Sequence, residues 1–508
     1  MAMFIPTLFL TACVAVAFAR AWIILRLSRS KKKRYHPVRG TVIHSLINFD
    51  RLHDFISDLA QEDATFRILY PNNSDVYTSD PANVEYILKT NFDNYGKGHL
   101  HHDLLRDLLG EGIFTVDGEK WRHQRKMSSF EFSTRNLKEF SGGVFKRNAA
   151  KLARMVAAAV ASDEAAEIQD MLMKSALDSV FKVVLGVDLD SMGGTNAAGA
   201  RFSVAFDRAS ELTCYRYIDV FWRLKRVLSI GSEAELRRQV KVVDEFVYNV
   251  IRSKLERIRE SNGSVSGVDK GDILSRFLEM DETDPKYLKD IILSFIIAGK
   301  DTTASALSWF FYMMCRHPSY QERIVSEVRR CVRIEANSSI DEIAEGITEE
   351  ALGEMQFLHA ALSETLRLYP AVPQDGKMCF SDDTLPDGFS VKKGYMVTYV
   401  PYAMGRMKSL WGEDAEEFRP ERWINDNGVF QQESAFKFTA FQAGPRICLG
   451  KEFAYRQMKV FAAVLLTAFS FQLNDETKPV KYRTMLTLQI GGGLHLRANP
   501  RMSCPEAC

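Results

Sequence analysis

The most informative stretch of the sequence is "FQAGPRICLG", residues 441–450, which places one cysteine between two glycines and an arginine two positions before it. A lone cysteine is usually a small buried apolar residue. This one directly precedes "KEFAYRQMKVFAAVLLTAF", residues 451–469, which has the apolar spacing of a helix. A thiol, a cation and two flexible residues ahead of a helix indicate a binding loop, formed by Phe441, Gly444, Arg446, Cys448 and Gly450.

These residue types suit a flat, dianionic iron macrocycle. A helix that starts just after Cys448 favours its thiolate through the peptide dipoles, and a thiolate is a soft ligand for haem iron. Gly444 and Gly450 would let the backbone approach the macrocycle without a side-chain clash. Phe441 can pack beside the sulfur, and Arg446 can pair with a propionate. The loop therefore predicts a haem-thiolate site with Cys448 as the metal ligand.

A second informative stretch is "DIILSFIIAGKDTTASALSWFFYMM", residues 290–314. It is apolar on nearly every face, which predicts a helix buried in the centre of a large protein. Its middle, residues 298–303, nevertheless carries a glycine, a charged pair and two hydroxyls, and such a local conflict marks a functional site. Small residues would make room beside the helix, and Thr302 can bond back to the carbonyl of Ala298. We therefore expect a groove for a diatomic ligand and protons.

Three other interpretations of this helix compete with the groove. A transmembrane helix is disfavoured because the central Lys300-Asp301 step would cost about 2.5 to 3.5 kcal/mol per charge. A phosphate-binding loop is excluded because Gly299-Lys300 is followed by an aspartate, and Ser294 stands where the first glycine belongs. The third interpretation, a Lys300-Asp301 edge that merely faces solvent, stays open from the sequence alone.

Both stretches resemble motifs of one known family, the cytochrome P-450 monooxygenases. Residues 441–450 resemble the haem-binding signature of that family. "AGKDTT", residues 298–303, resembles its oxygen-activation motif in the central helix. The resemblance implies the cytochrome P-450 fold, which is mainly α with small β-sheets (α+β).

Two further motifs resemble the same family. "ETLR", with Glu364 and Arg367, and "FRPERW", with Arg422, resemble its Glu-Arg-Arg ion cluster, which implies a buried structural cluster. "WRHQR" resembles its propionate-binding helix through Trp121 and Arg125. Without the resemblance, Glu364 and Arg367 would be a surface pair at i, i+3, and Trp121 a core residue. The four motifs follow the family's order, and the resemblance covers nearly all of the chain after its N-terminus.

The resemblance assigns roles to these residues. Haem b would be held by the axial thiolate of Cys448, and Asp301 and Thr302 would be the catalytic residues that deliver protons. The haem would be bound without a covalent ester, because Ala298 stands where some animal fatty-acid hydroxylases of the superfamily carry a glutamate. The other cofactor-binding residues would be Trp121, Arg125, Phe441, Gly444, Arg446 and Gly450.

Three longer stretches are similar to the plant long-chain fatty-acid ω-hydroxylases of this superfamily: "EGIFTVDGEKWRHQRK" (111–126), "YAMGRM" (402–407) and "FQAGPRICLGKEFAYRQMK" (441–459). This similarity implies a monomeric, membrane-bound enzyme that hydroxylates a fatty acid with O2 and electrons from an NADPH-cytochrome reductase. Alternatives are an in-chain fatty-acid hydroxylase, a terpenoid or steroid hydroxylase, a haem-thiolate isomerase or dehydratase, and a non-enzymatic haem sensor. Asp301 and Thr302 speak against the isomerase.

End-on binding of a fatty acid requires apolar walls, a polar mouth and a surface for the reductase. The candidate wall residues are Phe295, Ile296, Ala298, Val372, Leu486, Leu488 and Ile490. The candidate partners of the substrate carboxylate, in a predicted loop before Trp121, are His99, His101, His102 and Arg106. The candidate cations for reductase binding are Arg122, Lys126, Lys451, Arg456 and Lys459.

Composition limits the partners and the compartment of this 508-residue chain. With 66 Lys+Arg against 65 Asp+Glu the formal charge is +1, so no global field attracts nucleic acid. Eight cysteines without CxxC pairs argue against a disulfide framework or a zinc module. A reducing, cytosol-facing environment therefore fits best.

The N-terminus is the one compositional outlier. Residues 3–25 are almost continuously apolar, and basic residues follow through Arg34, which predicts a membrane anchor with its basic end in the cytoplasm. A cleaved signal peptide, with 17–19 as its small-residue site, stays the alternative. The predicted organisation is an anchor over 1–26, a basic stop-transfer segment and hinge over 27–45, and a catalytic domain over 46–508, on the cytosolic face of the endoplasmic reticulum membrane.

Turn signals and alternation predict the remaining elements. Residues 64–71 and 75–80 read as a β-hairpin, and 394–402 and 482–490 as strands. Long helical patterns occupy about 133–185, 200–228 and 233–260.

Overall fold

The computed structural model describes residues 33–70, 73–260, 271–279, 284–335 and 338–501, with the side chains of Glu131, Ser133 and Arg259 left aside. Over these residues the chain is mainly helical with small sheets, which confirms the predicted α+β class. The predicted membrane anchor over 1–26 lies outside the described residues.

Long helices dominate the first two thirds of the described chain. The helices of this part are α1 (Val42–Ile47), α2 (Leu52–Glu62), α3 (Pro81–Glu85), α4 (Gly98–Leu109), α5 (Gly118–Ser133), α6 (Arg135–Ala161), α7 (Ile168–Leu185), α8 (Ala197–Tyr215), α9 (Trp222–Leu228), α10 (Gly231–Glu260), α11 (Ile273–Glu279) and α12 (Pro285–Arg316). The long helical patterns predicted over about 133–260 are confirmed as α6, α7, α8, α9 and α10.

The last third mixes helices with short turns. Its helices are α13 (Pro318–Val332), α14 (Ile340–Gly346), α15 (Glu349–Glu354), α16 (Gln356–Leu368), α17 (Pro401–Met404), α18 (Lys408–Trp411) and α19 (Lys451–Ala468). Single 3₁₀ turns occur at Phe49–Arg51, Phe92–Asn94, Pro420–Trp423 and Gly444–Arg446, and a π turn at Tyr86–Thr90. Helix α19 starts where the pattern after Cys448 predicted it.

The strands are short. They are β1 (Val38–Thr41), β2 (Thr65–Leu69), β3 (Ser74–Thr78), β4 (Tyr95–Gly96), β5 (Ala166–Glu167), β6 (Asp375–Cys379), β7 (Asp383–Thr384), β8 (Ser390–Val391), β9 (Met396–Tyr399), β10 (Phe469–Leu473), β11 (Tyr482–Arg483), β12 (Gln489–Ile490) and β13 (His495–Pro500).

The chain forms two compact units. Of the described residues, the first contains 33–70, 73–96, Gln374–Gly412 and Ala435–Arg446, and the second contains 97–260, 271–279, 284–335, 338–373, Glu413–Ser434 and 447–501. The boundary between the units thus falls inside residues 441–450, between Arg446 and Ile447.

The first unit is built on a six-stranded mixed sheet with the order β1-β2-β3-β9-β6-β4. Strands β2 and β3 form the predicted hairpin, paired antiparallel from Thr65 opposite Thr78 to Leu69 opposite Ser74. Strand β3 then pairs parallel with β9, as Val76 lies opposite Val397. Both valines are fully buried in the apolar core of this unit, so the sheet register is fixed by the side of each strand that faces that core.

The predicted hinge around His36 is held firmly by the first unit. The His36 ring lies 2.8 Å from the Asp387 carboxylate and stacks on Phe389 at 4.5 Å between ring centroids. Before it, Lys33 pairs with Asp382 at 2.7 Å, and the carbonyl of Arg34 accepts from the Ser390 amide. From Lys33 onward the segment is therefore attached along the β7–β8 hairpin.

Helix α12 runs through the apolar core of the second unit. It is long and apolar enough to cross a membrane, but most of it is buried inside the unit, so it is a core helix, as its sequence predicted. Its closest neighbour is α7: a Cβ on Gly299 would lie 2.5 Å from Cγ2 of Val180. The glycine predicted to make room for a ligand is therefore required by helix packing.

The prediction of one strand over 482–490 is wrong in part. The segment forms two short paired strands, β11 and β12, with a turn between them. Its position is fixed by the Leu488 carbonyl, which accepts from Ser305 Oγ at 2.5 Å and from Trp309 Nε1 at 2.7 Å, both on α12. The Leu488 amide donates to the carbonyl of Ala371 at 3.0 Å. These hydrogen bonds take the place of some of the backbone hydrogen bonds that a continuous strand would form with a neighbouring strand.

The Glu-Arg-Arg cluster is buried, which confirms that prediction. The carboxylate of Glu364 accepts from Arg367 Nε and Nη2, both at 2.7 Å, and from Arg422 Nε at 2.8 Å. It also accepts from the Arg419 amide at 2.9 Å and from Trp423 Nε1 at 2.8 Å. The side chains of Glu364 and Arg367 have no exposed surface. A buried carboxylate with five donors fixes α16 to the 419–423 turn.

Candidate functional site

Cys448 lies in the second unit, three residues before α19 begins. Its side chain is exposed, while the protein around it is dense enough that burial raises the pKa of the thiol. A bond from the Gly450 amide and the charges of Arg125 and Lys451 oppose that rise. The sulfur is thus accessible, and three neighbouring groups partly offset the rise that burial causes in its pKa.

Arg125 is a cation from another helix whose charge acts on Cys448. It lies on α5, one turn after Trp121, and the two side chains share one side of the helix. Trp121 is buried, whereas Arg125 is half-buried. Burial lowers the pKa of the Arg125 guanidinium, and Cys448 opposes that shift. The structure therefore brings Arg125 into electrostatic range of Cys448, and propionate binding by this pair stays a prediction.

The two glycines of the loop differ in the space around them. Gly444, at φ +65°, is needed by the protein itself, because a Cβ there would clash with the carbonyl oxygen of Leu88. A Cβ on Gly450 would meet only Sγ of Cys448, at 3.9 Å. Close packing of the first unit thus explains Gly444, while Gly450 keeps the space next to the sulfur open.

Phe441, Gly444 and Arg446 belong to the first unit. Phe441 and Arg446 are partly buried. Between them Gln442 adopts φ 57°, a left-handed conformation that is uncommon for a residue other than glycine. Such strain is held in place only by the surrounding structure and often accompanies a binding loop.

The centre of α12 presents one accessible face. Ala298 and Thr302 are four residues apart, and both retain accessible surface in a helix that is otherwise mostly buried. Thr302 Oγ1 donates to the Ala298 carbonyl at 2.5 Å, which confirms the predicted back-bond. The bond competes with the backbone ladder and leaves a hydroxyl on the accessible face.

The Lys300-Asp301 pair is buried, so the solvent-facing interpretation is wrong. Lys300 is 3 % exposed and Asp301 is 7 % exposed. Lys300 Nζ donates to Asp301 Oδ1 at 2.9 Å and also to the Asp207 carboxylate of α8. A buried ammonium needs such partners, because an unpaired buried charge is costly.

Residues 110–112, which precede Trp121 in the chain, are bound to α12 near the N-terminal end of that helix. The buried carboxylate of Asp290 accepts from the Glu111 amide at 2.9 Å. A Cβ on either neighbouring glycine, Gly110 or Gly112, would clash with side chains of α12. The Glu111 carboxylate binds His102 at 2.7 Å and Lys120 at 2.9 Å, and these bonds lower its pKa to about 2. The stretch that resembles the plant hydroxylases is thus a rigid connector.

The prediction that the candidate partners of the substrate carboxylate lie in a loop is wrong. His99, His101, His102 and Arg106 all lie on helix α4. His101 is buried, His102 is engaged by Glu111, and Arg106 lies 4.0 Å from Asp103. Three histidines and a leading glycine have low helix propensity, so their local pattern concealed a helix that packing stabilises.

The residues predicted to line the substrate channel differ in how much solvent-accessible surface they keep. Ala298, Val372 and Leu486 retain accessible surface, while Ile296 and Leu488 have none. The other two predicted wall residues, Phe295 and Ile490, are largely buried. Side chains without accessible surface pack inside the protein, so the prediction that Ile296 and Leu488 line an open channel is wrong.

Sequence reasoning missed Asp207 and Asp290, which fix the two ends of the functional part of α12. No local motif marks Asp207. Asp290 could have been found from the pair of Lys-Asp steps at 289–290 and 300–301, which lie eleven residues apart on one helix.

The donor set fits a thiolate-bound haem. An accessible, soft sulfur lies next to two cations and an open position at Gly450. Across residues 33–501, leaving the undescribed gaps aside, no group of three or more His, Cys, Asp or Glu side chains could hold a metal ion by itself. The single thiolate of Cys448 suits a metal that brings its other ligands with it, as the iron of a macrocycle does.

Comparison with known proteins gives consistent matches over most of the chain. The family model for cytochrome P450 matches residues 32–496. The chain is 49 % identical to cytochrome P450 704C1 of Pinus taeda, over 98 % of this chain and 99 % of the relative. It is 42 % identical to cytochrome P450 704B1 of Arabidopsis thaliana, over 97 % and 100 %. Cytochrome P450 86B1 of Arabidopsis thaliana is 37 % identical, over 87 % and 81 %.

Proposed function

Because this chain belongs to the cytochrome P450 family, whose members are haem-thiolate monooxygenases that use O2 and a redox partner, we propose that it hydroxylates long-chain fatty acids at the ω carbon. The observation that carries the monooxygenase chemistry is the accessible sulfur of Cys448, beside Arg125 and ahead of α19. The similarity of residues 111–126, 402–407 and 441–459 to plant fatty-acid ω-hydroxylases supports the substrate class.

Cys448 would hold the haem iron, and Arg125, Trp121 and Arg446 are the candidates for its propionates. The bound haem supplies the activation of O2 and the oxidation of an unactivated C–H bond. The chain supplies the rest: Gly450 keeps the sulfur accessible, and the nearby cations stabilise its negative charge. Ala298 has no carboxylate, so it cannot form an ester with the haem.

Thr302 and Asp301 would move protons at this site. The Thr302 hydroxyl lies on the accessible face of α12 and is oriented by the Ala298 carbonyl. The Asp301 carboxylate lies at the buried position immediately before Thr302 and is held by Lys300. A carboxylate next to an oriented hydroxyl can pass a proton inward while the apolar surroundings exclude bulk water.

Replacing Thr302 by alanine should uncouple the enzyme. Positioned proton transfer contributes about 10²–10⁴-fold to a rate, so product formed per NADPH should fall by at least ~10-fold while hydrogen peroxide rises. Haem content should stay normal, because the hydroxyl bonds only to its own helix. Thr303→Ala, at the adjacent buried position, is the matched control, and Thr302→Ser should restore coupling. Unchanged coupling in Thr302→Ala would remove Thr302 from the proton path.

An ω-hydroxylase needs a channel that admits a chain end-on, because a terminal methyl C–H bond is harder to break than the methylene bonds beside it. The accessible apolar side chains of Ala298, Val372 and Leu486 are the candidates for its lining. The fixed carbonyl of Leu488 holds the segment that carries Leu486 against α12.

The direct test is a fatty-acid panel incubated with the full-length protein in membranes, NADPH and a reductase. The proposal predicts ω-alcohols whose formation needs NADPH and O2. Mid-chain alcohols would favour an in-chain hydroxylase, and turnover confined to rigid polycyclic substrates would favour a terpenoid or steroid hydroxylase. Product without NADPH would point to an isomerase or dehydratase.

Electrons would come from an NADPH-cytochrome reductase that binds near the start of α19. Lys126 is exposed and is the strongest of the predicted cations, while Arg122 and Arg456 each pair with a glutamate, at 2.5 and 2.6 Å. The prediction for Lys459 is wrong: it is buried, and its ammonium donates to the Leu352 carbonyl at 2.7 Å. Burial lowers the pKa of Lys459 to about 8.

We place the protein at the endoplasmic reticulum membrane, and an exposed apolar surface supports that location. Large apolar side chains on and around α9 point to solvent, interspersed with the cations Arg223 and Arg226. Apolar and basic side chains together are typical of a segment that lies in a lipid interface. The exposed apolar residues are Tyr215, Tyr217, Val220, Phe221, Leu224, Val227, Leu228 and Ile230.

A probe at Val227 should enter the lipid interface. Val227 is 82 % exposed, and Val429, which is 48 % exposed and lies outside α9, is the matched control. With an environment-sensitive dye on Val227→Cys of the full-length protein in vesicles, we expect a blue shift and quenching by lipid-borne quenchers. The Val429→Cys dye should show neither. Equal emission from both positions would contradict membrane contact by α9.

A further inference from the structure

Lys300 is shared between two carboxylates from different helices. Its ammonium donates to Asp301 at the next position of α12 and to Asp207 on α8. Its side chain is almost fully buried, while that of Asp207 keeps about half of its surface accessible. One buried cation therefore joins α8 to the position next to Thr302.

The charges of this cluster depend on one another. Burial works to lower the pKa of Lys300, but Asp301 and Asp207 together outweigh burial and raise it. Burial raises the pKa of Asp207, and Lys300 opposes that rise while Asp301 adds to it. Without the ammonium, the Asp207 and Asp301 carboxylates would be two like charges with no cation between them.

The same arrangement occurs three turns earlier on α12. Lys289 is buried and lies 3.3 Å from the neighbouring Asp290 and 3.2 Å from Asp244 of α10. Eleven residues at about 100° each return to nearly the same side of the helix. Helices α8 and α10 are themselves joined, because Arg208 binds Glu235 in a bidentate pair at 2.7 and 2.9 Å. Two lysines on one side of α12 thus fasten a connected pair of helices.

The two lysines differ in what lies beside them. Asp290 supports the connector at Glu111, whereas Asp301 precedes Thr302 on the accessible face of α12. We propose that Lys300 is a positioning residue that couples the docking of α8 to the orientation of the Asp301 carboxylate. This inference rests on the proposed role of Asp301 in proton delivery. If α8 moves and takes Asp207 away, the Lys300 ammonium then pairs with Asp301 alone.

The experiment measures docking and proton delivery separately in the full-length holoenzyme. Hydrogen exchange of α8 amides, without substrate or reductase, reports docking. The ratio of hydrogen peroxide to alcohol and the solvent isotope effect on turnover report proton delivery. We expect Asp207→Asn and Lys300→Met to speed α8 exchange by about tenfold and to change both proton readouts. Asp301→Asn should change the proton readouts and leave α8 exchange within about twofold.

Lys289→Met is the matched control, since it removes another buried lysine from the same side of α12. It should speed exchange in α10 and leave the peroxide ratio as in the wild type. Lys300→Arg keeps the charge and should restore both readouts toward the wild type. If Asp207→Asn or Lys300→Met loosened α8 with unchanged peroxide ratio and isotope effect, Lys300 would be purely structural and the inference would be overturned. Unchanged α8 exchange in Asp207→Asn would overturn it equally.

Failure of the proposed function has a different signature. If the wild-type enzyme hydroxylates no fatty acid, the substrate assignment fails, but α8 exchange and the peroxide released during NADPH oxidation still measure the coupling. Should Lys300→Met fail to fold, Asp207→Asn and Lys300→Arg carry the test, because both keep the Lys300 position charged.

Discussion

Cys448→Ser should lose the long-wavelength absorption band of the reduced, CO-bound enzyme together with all hydroxylation. A serine hydroxyl is too basic to stay ionised as a comparable soft ligand. Mutating a group that only supports a metal ligand lowers metal affinity or activity about 10- to 100-fold. Removing the ligand itself should therefore lower turnover by more than ~100-fold. The cations beside the sulfur cannot compensate, since Arg125 and Lys451 stabilise a negative charge that serine does not carry.

The matched control is Cys315→Ser on α12. Cys315 is partly buried, and burial raises its pKa to about 12, so it is an unreactive thiol. Its variant should keep the band and the activity. The measurements are the reduced-CO spectrum and haem content of both variants. Retention of the band in Cys448→Ser would refute the assignment of the ligand.

Glu364→Gln should have the second largest effect, and it should act on folding. The carboxylate accepts five hydrogen bonds, two of them from the fully buried Arg367. Removing one partner of a buried ion pair costs about 3–5 kcal/mol, because Arg367 and Arg422 would then share a neutral amide. That is a large part of the about 5–15 kcal/mol by which proteins are stable. We expect little haem-loaded protein and an unfolding midpoint far below that of the wild type.

Glu421→Gln provides the control on the adjoining 3₁₀ turn. Glu421 pairs with Arg323 at 2.6 Å, and both side chains are substantially exposed. Surface pairs contribute about 0–1 kcal/mol, so this variant should unfold at nearly the same urea concentration as the wild type. If Glu364→Gln and Glu421→Gln shifted the midpoint equally, the buried cluster would not be a main source of stability.

The sequence predicted the elements whose signals are local. The apolar run of α12 and the helix after Cys448 follow from spacing along one segment, and the β2–β3 hairpin follows from alternation and a turn. The Glu364 cluster was found because three charged residues matched a known motif. Local spacing also explains the failure at α4, where three histidines masked a helix stabilised by its buried leucines.

The remaining features depend on partners that are distant in sequence. Lys300 could be read as solvent-facing until Asp207, 93 residues earlier, was placed beside it. The strand predicted over 482–490 is interrupted because hydroxyl and indole groups of α12 bind the Leu488 carbonyl. Lys459 was predicted to be a surface cation because the sequence around it does not indicate that its ammonium binds the carbonyl of Leu352. Pairings of this kind are set by tertiary packing, which single-segment periodicity does not contain.

The close approach of Gly299 to Val180 also has an evolutionary meaning. A methyl group on residue 299 would lie 2.5 Å from the Val180 side chain, so neither position can accept a larger residue while the other stays unchanged. Natural variation at the two positions should therefore be correlated: an alanine at 299 becomes tolerable where residue 180 is alanine or glycine. Among divergent descendants of this sequence, the summed side-chain volume of residues 180 and 299 should vary less than the identity of either residue.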